Sequence, residues 1–154
     1  TDAARFYGVD TIVRATGDNP LVSWRLTNDI IWEHKKAEAD YSGYLGPPYG
    51  TQVEVLRSEA LFKAERETDS DYDHEHVAPY IYNNPETFRL NRLYPDKKYI
   101  CPDARATVDT WEDYHFLSRI YAELYRGYPI PILRLIEWLN AYQKTPEQFA
   151  ELSV

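Results

Sequence analysis

Sulfur-containing residues are almost absent from this 154-residue sequence, which has one cysteine, Cys101, and no methionine. A single cysteine cannot form an internal disulfide, and it excludes zinc sites that are built from several cysteines. This composition is typical of a reducing compartment, so we expect a cytoplasmic location. The sequence has no apolar run of about 18 residues and no signal-peptide pattern, so we predict that it has no membrane partner.

Positive charge is also scarce. The sequence has 17 Lys and Arg against 25 Asp and Glu, which gives a net charge of −8. Binding to a nucleic-acid backbone requires a basic face, so this balance argues against a nucleic-acid partner. Hydrophobic residues make up 44% of the chain and aromatic residues 15%, which indicates a packed globular body. At this length we expect a single domain over residues 1–154.

Glycine is infrequent, and no glycine-rich phosphate loop is present in the sequence. A serine nucleophile elbow and a Cys–His pair at useful spacing are also missing. The sequence begins "TDAARFYGVD", which is typical of the last turns of a helix that ends at Gly8. We therefore expect the chain to be a fragment that has lost a preceding segment.

The order of strand and helix patterns predicts an α/β domain with a mixed sheet and flanking helices. Residues 10–15 show little alternation, so we expect a strand that is buried on both faces, as in a parallel sheet. Val53 and Val55 alternate with polar neighbours in a second strand, and Thr110 with Asp113 fits a capping box. Strands are predicted at residues 10–15, 51–56, 87–94 and 104–108, and residues 40–50 are predicted to be a strand end followed by a loop. Helices are predicted at residues 23–39, from 58, around 77–84, from 110 and at 132–142.

Two aspartates each follow a predicted strand and precede a helix, Asp18 in "VRATGDNP" and Asp109 in "ATVDTWED". Ligands of open α/β sheets bind beyond the carboxyl ends of strands. Two carboxylates there can share one Mg²⁺, which keeps substrate phosphates as further ligands during nucleotidyl or phosphoryl transfer. The alternative is local, because Asp18 suits a turn and Asp109 suits a helix N-terminus.

The run "DSDYDHEHV", residues 69–77, is a second candidate for metal binding. His74 and His76, with the acids around them, could hold a transition metal. On a helix, however, side chains two positions apart diverge by about 200°. Acids at a helix N-terminus also stabilise the helix without any ligand, so we predict a solvated helix-capping segment.

Four segments occur here in the same order and spacing as in one protein family, "GVDTIVRATGDNPLVS", "YGTQVEVLRSEALFKA", "HEHVAPYIYNNPETF" and "ARATVDTWEDYHFL". Over residues 1–139 the chain resembles the cytidylyltransferases related to the spore coat polysaccharide biosynthesis protein SpsF. These are relatives of the enzymes that activate 3-deoxy-manno-octulosonate and N-acylneuraminate as CMP-sugars. The resemblance implies a Rossmann-like nucleotide-diphospho-sugar transferase fold. It also implies Mg²⁺-dependent transfer of CMP from CTP to a sugar or sugar-acid hydroxyl in surface-polysaccharide biosynthesis, with release of pyrophosphate.

The resemblance also implies site residues. The metal-binding carboxylates of the sugar-acid relatives correspond to Asp18 and Asp109, which we therefore expect to be the catalytic and Mg²⁺-binding residues. Other matched positions are candidates for the acceptor pocket or for a homodimer interface. The expected substrate-binding residues are Gly17, Gly50, Gln52, Glu54, His76 and Tyr80.

The sequence departs from the family pattern in two places. Members usually have Asp-Gly-x-Asp-Val-Glu-Val, whereas Tyr49 and Gln52 replace the two aspartates here, so the acceptor chemistry can differ. The family's glycine-rich CTP loop would precede Thr1, so we expect only the C-terminal portion of a cytidylyltransferase, inactive by itself. Two alternatives stay open, a non-catalytic sugar-binding or dimerisation module and a nucleotide-sugar glycosyltransferase.

Overall fold

A computed structural model describes residues 1–76 and 78–143, which form a mixed four-stranded sheet with helices on both faces. This confirms the predicted α/β class. The strands are β1 (Thr11–Arg14), β2 (Tyr41–Tyr44), β3 (Glu54–Arg57) and β4 (Leu90–Leu93). The helices are α1 (Asp2–Tyr7), α2 (Trp24–Ala37), α3 (Ser58–Glu67), α4 (Asp71–His76), α5 (Pro79–Asn83), α6 (Trp111–Leu124) and α7 (Ile132–Gln143), with a 3-10 turn at Lys97–Tyr99. Among the described residues no helix is long and apolar enough to cross a bilayer.

The strands lie in the order β1–β3–β2–β4, with β3 antiparallel to both of its neighbours and β2 parallel to β4. The prediction that the first strand is a parallel strand buried on both faces is wrong. β1 lies at the edge of the described sheet, antiparallel to β3, and Val13 is exposed. An antiparallel edge strand can leave one face in solvent, so apolar residues that follow one another need not both be buried.

β3 separates the two cores beside the sheet, because successive strand side chains point to opposite faces. Val53 and Val55 pack with Ile30 of α2 on one face, which confirms the predicted alternation. Leu56 packs on the other face with Ile81 of α5 and with residues of α3. Glu54 is two positions from Leu56 and therefore lies on the α5 face.

The predicted strand at residues 104–108 is an extended segment that makes only an isolated bridge. Its backbone hydrogen bonds go to two different loops instead of one neighbouring strand. The N–H of Ala106 donates to the carbonyl of Tyr49 at 2.7 Å, and the N–H of Val108 donates to the carbonyl of Asp18 at 2.8 Å. The segment thus connects the two loops that follow β1 and β2, and no regular ladder forms.

A capping box starts α6, as predicted. The Thr110 hydroxyl accepts from the N–H of Asp113 at 3.2 Å, and the Asp113 carboxylate accepts from the N–H of Thr110 at 2.9 Å. The same carboxylate accepts from the N–H of Asp109 at 3.0 Å, and these backbone donors lower the pKa of Asp113. The helix cap therefore also fixes the backbone at Asp109.

A buried histidine joins α2 to β2. Nδ1 of His34, a residue that is 4% exposed, lies 2.8 Å from Oγ of the fully buried Ser42. Burial and the positive charge of Arg57 lower the pKa of His34, and the opposing charge of Asp40 is the weaker effect. The fold therefore favours the neutral imidazole.

We expect the free energy of unfolding to fall as the pH drops below the ordinary histidine pKa of about 6.5, because the unfolded chain then binds a proton that folded His34 resists. The contribution is fully present above that pH, and below it is lost by at most about 1.4 kcal/mol per pH unit. His34→Gln should remove this part of the slope, measured by urea unfolding at a series of pH values. His115→Gln, at an exposed position of α6, is the matched control. An unchanged slope in His34→Gln would contradict the prediction.

Thr110→Ala should lower the free energy of unfolding by about 1 kcal/mol, the usual cost of losing an N-cap side chain. Thr110→Ser keeps the hydroxyl and should cost much less. Urea unfolding at neutral pH measures both variants, and equal losses would show that the hydroxyl is not the stabilising group.

Candidate active site

A cavity of about 520 Å³ lies between the ends of β1, β2 and β3 and the helices α4 and α5. The sequence folds this way because β1 ends in a turn at residues 16–19 and the approach to β3 turns at Gly50. Most of the predicted site residues line this one cavity. They are Asp18, Gly50, Gln52, Glu54 and His76.

The remaining predicted site residues lie elsewhere. Asp109 is outside the lining but follows Val108, whose N–H donates to the carbonyl of Asp18, so the two aspartates belong to adjoining segments. Gly17 is exposed and does not line the cavity. The ring of Tyr80 packs against Phe88, with centroids 6.1 Å apart, and lines a small separate pocket beside α3.

Gly50 lies where three backbone segments approach one another. Its φ is 89°, which favours glycine, and an added Cβ would lie 2.8 Å from the carbonyl oxygen of Ala106 and 2.8 Å from Oδ1 of Asn19. Asn19 is fixed in turn, because its amide donates to the hydroxyl of Thr16 at 2.7 Å. The loop that carries Asp18 is therefore packed directly on the backbone of Gly50.

The two aspartates differ in their surroundings. The side chain of Asp18 is exposed and makes no hydrogen bond or ion pair with the described residues. Asp109 forms an ion pair with Arg105, whose guanidinium lies 5.3 Å from the centroid of the Tyr49 ring. One carboxylate is thus open to a ligand, and the other is held by an arginine.

Within residues 1–76 and 78–143, no three His, Cys, Asp or Glu side chains form a group that could hold a metal ion. The run with His74 and His76 falls on helix α4 and forms no such group. Asp18 and Asp109 nevertheless fit Mg²⁺, because this ion takes one or two protein carboxylates and fills its other positions with water and substrate phosphates. The donor set available at this edge of the sheet is therefore the kind that Mg²⁺ needs.

Four residues that are neighbours across the sheet form a row below the cavity. Arg14 of β1 pairs with Glu54 of β3, Glu54 pairs with Gly43 of β2, and Gly43 pairs with Arg92 of β4. Gly43 has no side chain, and the hydroxyl of Tyr41 lies 3.1 Å from the position where a Cβ would be. The row therefore places Glu54 between Arg14 and Arg92, and Tyr41 lies over the space where Gly43 has no side chain.

Both carboxylate oxygens of Glu54 are occupied. Oε2 accepts from Nη1 of Arg14 at 2.7 Å, and Oε1 accepts from the hydroxyl of Tyr41 at 3.0 Å. Burial, and secondly the charge of Glu54, raise the pKa of Tyr41 well above its ordinary value. Tyr41 therefore stays a neutral hydrogen-bond donor, and Glu54 is held from two sides.

Aromatic rings cover the other walls of the cavity. The rings of Tyr41 and Tyr82 meet at 5.7 Å, and those of Tyr72 and His76 at 4.3 Å. The guanidinium of Arg92 lies 4.9 Å from the Tyr82 ring centroid. Aromatic faces with a few convergent polar groups are typical of sites that bind small organic ligands.

Sequence reasoning did not select Arg14, Tyr41 or Tyr82, although each lines the cavity. Arg14 and Glu54 lie on two separate strands. Their ion pair would have been predictable if the two strands had been known to be neighbours. No local pattern around Tyr41 or Tyr82 distinguishes them among 14 tyrosines.

Residues 1–151 match the family model described as Cytidylyltransferase. The chain is 33% identical over 146 residues to the uncharacterized protein MJ1063 of Methanocaldococcus jannaschii, which covers 95% of this chain and 58% of that protein. It is also 33% identical over 130 residues to the spore coat polysaccharide biosynthesis protein SpsF of Bacillus subtilis, covering 84% of this chain and 54% of SpsF. The chain thus spans little more than half the length of these relatives.

A solved structure of a cytidylyltransferase from Leptospira borgpetersenii has the same fold, with a TM-score of 0.83 and 24% sequence identity. The match covers 93% of this chain and 61% of that one. The expectation that the chain holds only the C-terminal portion of the family is not supported, because the family model matches residues 1–151. That match shows that the chain belongs to the cytidylyltransferase family.

Proposed function

We propose that the protein is a Mg²⁺-dependent nucleotidyltransferase that transfers CMP from CTP to a hydroxyl of a sugar or sugar acid. The observation that carries this proposal is the cavity, because it is lined both by Asp18 and by four of the substrate-binding residues expected from the family. Family membership and the similarity to SpsF support the reaction class and a role in surface-polysaccharide biosynthesis. A homodimer and a cytoplasmic location belong to the proposal, on the family resemblance and on the single cysteine.

Asp18 and Asp109 would hold the metal. When bound, Mg²⁺ supplies charge neutralisation at the CTP phosphates. Asp113 keeps the Asp109 backbone in place through the helix cap, and Arg105 balances the Asp109 carboxylate. The packing of Asn19 on Gly50 holds the backbone of the loop that carries Asp18.

The cavity would hold the acceptor beside these carboxylates. Gln52, Glu54 and His76 offer polar atoms to its hydroxyls, and the tyrosine rings cover its apolar faces. The acceptor oxygen forms a new bond to the α-phosphorus, and the bond to the leaving pyrophosphate breaks. CTP and the sugar thus give the CMP-sugar, pyrophosphate and one proton. Tyr80 and Gly17 lie outside the cavity, and we assign no acceptor contact to them.

Asp18→Asn should weaken the binding of Mn²⁺, used as a spectroscopic substitute for Mg²⁺, because an amide cannot replace a charged ligand. We expect at least the roughly 10-fold loss that is typical when even an outer-shell partner is removed. Electron paramagnetic resonance of free Mn²⁺, with and without CTP, measures the affinity. Asp109→Asn should have the same effect.

Asp103→Asn is the matched control, because Asp103 is an exposed aspartate on the same segment as Asp109. It should leave Mn²⁺ binding unchanged. Undiminished Mn²⁺ binding in both Asp18→Asn and Asp109→Asn would remove the metal role. Sugar binding without any binding of CTP or Mn²⁺ would favour a non-catalytic sugar-binding module.

The proposed transfer is that of the whole protein. We expect residues 1–154 alone to turn over CTP negligibly, because no glycine-rich phosphate loop occurs among them. A pyrophosphate-release assay with CTP, Mg²⁺ and a panel of sugars tests this. UDP- and GDP-sugars in the same assay test the glycosyltransferase alternative. Clear pyrophosphate release from CTP would contradict the expected inactivity and would strengthen the proposed reaction.

A further inference from the structure

We infer that Arg105 is a phosphate-binding residue of the proposed reaction. In the metal-free chain it pairs with Asp109, and it turns to a phosphate group of the substrate when Asp109 binds the metal ion. The inference rests on the proposed function and adds one residue to its site. It depends on the position of Arg105 between Asp109 and the ring of Tyr49.

The backbone places Arg105 beside the cavity. Tyr49 and Arg105 are the partners of the isolated parallel bridge. The N–H of Tyr49 donates to the carbonyl of Ala104 at 2.8 Å, and the N–H of Ala106 donates to the carbonyl of Tyr49 at 2.7 Å. Tyr49 and Asp18 both line the cavity. The guanidinium of Arg105, 5.3 Å from the centroid of the Tyr49 ring, therefore lies next to the proposed site.

The ion pair of Arg105 with Asp109 can be released at little cost. Nη2 of Arg105 contacts one oxygen of Asp109, Oδ2, and the two side chains are 51% and 47% exposed. Exposed ion pairs contribute little to stability, because water screens both charges. Arg14 differs, because its partner Glu54 is partly buried and is also held by Tyr41. Of these two arginines, Arg105 is the one that a ligand can take from its partner more easily.

Metal binding at Asp109 changes the surroundings of this guanidinium. The carboxylate that pairs with Arg105 is also a proposed ligand of Mg²⁺, so the arginine would lie next to a double positive charge. Like charges at such short range repel each other, and an anion between them removes the repulsion. A substrate phosphate that is also a ligand of the metal ion is such an anion. Arg105 would thus exchange a carboxylate oxygen for a phosphate oxygen.

The chemistry of the guanidinium and its contact with Tyr49 both suit this exchange. Arginine is planar and presents several N–H donors, which matches the oxygens of a phosphate group. The ring of Tyr49 attracts the guanidinium through its face without neutralising its charge. Arg105 therefore keeps its positive charge for an anionic ligand after it leaves Asp109.

Arg105→Gln tests the inference with two affinities that should change in opposite directions. Without phosphate, the variant should bind Mn²⁺ about threefold more tightly than the unmodified chain, because Asp109 has lost a competing partner. In excess Mg²⁺ it should bind pyrophosphate about tenfold more weakly, because a charged hydrogen-bond donor is lost. Pyrophosphate is the probe because it carries phosphates without a base. Electron paramagnetic resonance of free Mn²⁺ measures the first affinity, and titration calorimetry measures the second.

Arg89→Gln is the matched control, because Arg89 forms an exposed ion pair with Glu38 outside the cavity. It should leave both affinities unchanged. A second measurement needs no loss of charge. Arg105→Lys identifies the side-chain Nε–H signal of Arg105 in the NMR spectrum of the unmodified chain, because that signal disappears in the variant. We expect the signal to shift when pyrophosphate is added in excess Mg²⁺.

Either affinity unchanged in an Arg105→Gln variant with native circular dichroism would overturn the inference. If that variant does not fold, the Nε–H signal decides, and a signal that pyrophosphate does not shift overturns it. In both cases Mn²⁺ binding by the unmodified chain would leave the metal role of the proposed function standing. An unmodified chain that binds Mn²⁺ but no pyrophosphate overturns the inference alone. If the unmodified chain binds no Mn²⁺, the proposed metal role and the inference both fall.

Discussion

The close approach of three backbone segments at Gly50 determines the arrangement of the site. The positive φ of this residue and the contacts that a Cβ would make with Ala106 and Asn19 leave room only for glycine. The segment at residues 104–108 then bonds to Tyr49 on one side and to Asp18 on the other. Because these bonds involve backbone atoms, the two loops are held whatever side chains surround them. The carboxylates of Asp18 and Asp109 consequently belong to segments that cannot separate without breaking this contact.

The sheet gives the cavity its charge pattern. Antiparallel pairing places Arg14 beside Glu54, and the missing side chain of Gly43 gives Tyr41 the space to reach the same carboxylate. A partly buried carboxylate that is bonded from two sides resists rotation, because each alternative orientation leaves a polar group without a partner. The same pairing that holds the strands together thus also holds the arginine against the glutamate.

The fold that the chain shares with its family and the side chains that line this cavity have to be considered separately. Similarity to a cytidylyltransferase of known structure, at 24% identity, describes the fold. A shared fold does not determine what a site binds, because that depends on the side chains that line it, which here include Gln52, Glu54 and Tyr82. The chain spans little more than half the length of its curated relatives, and the described cavity contributes carboxylates, amides and tyrosines.

The sequence by itself determined the features whose physical cause lies within a few residues. The capping box of Thr110 and Asp113, the end of α1 at Gly8 and the alternation of Val53 and Val55 follow from local spacing, and the structure confirms them. Family motifs also identified five residues that line the cavity, Asp18, Gly50, Gln52, Glu54 and His76, but not Arg14, Tyr41 or Tyr82. Three other predicted site residues, Gly17, Tyr80 and Asp109, do not line it.

Only the tertiary structure decided the direction of β1, the irregular path of residues 104–108 and the pairing of Arg14 with Glu54. These depend on which strand lies next to which, and residues 40 positions apart leave no local trace of being neighbours. A strand has the same apolar pattern whether its neighbour is parallel or antiparallel. In the same way, the sequence does not show whether the charge of a strand arginine is paired within the protein. Strand pairing decides both the direction of β1 and the partner of Arg14, because it determines which side chains lie next to each other on a face of the sheet.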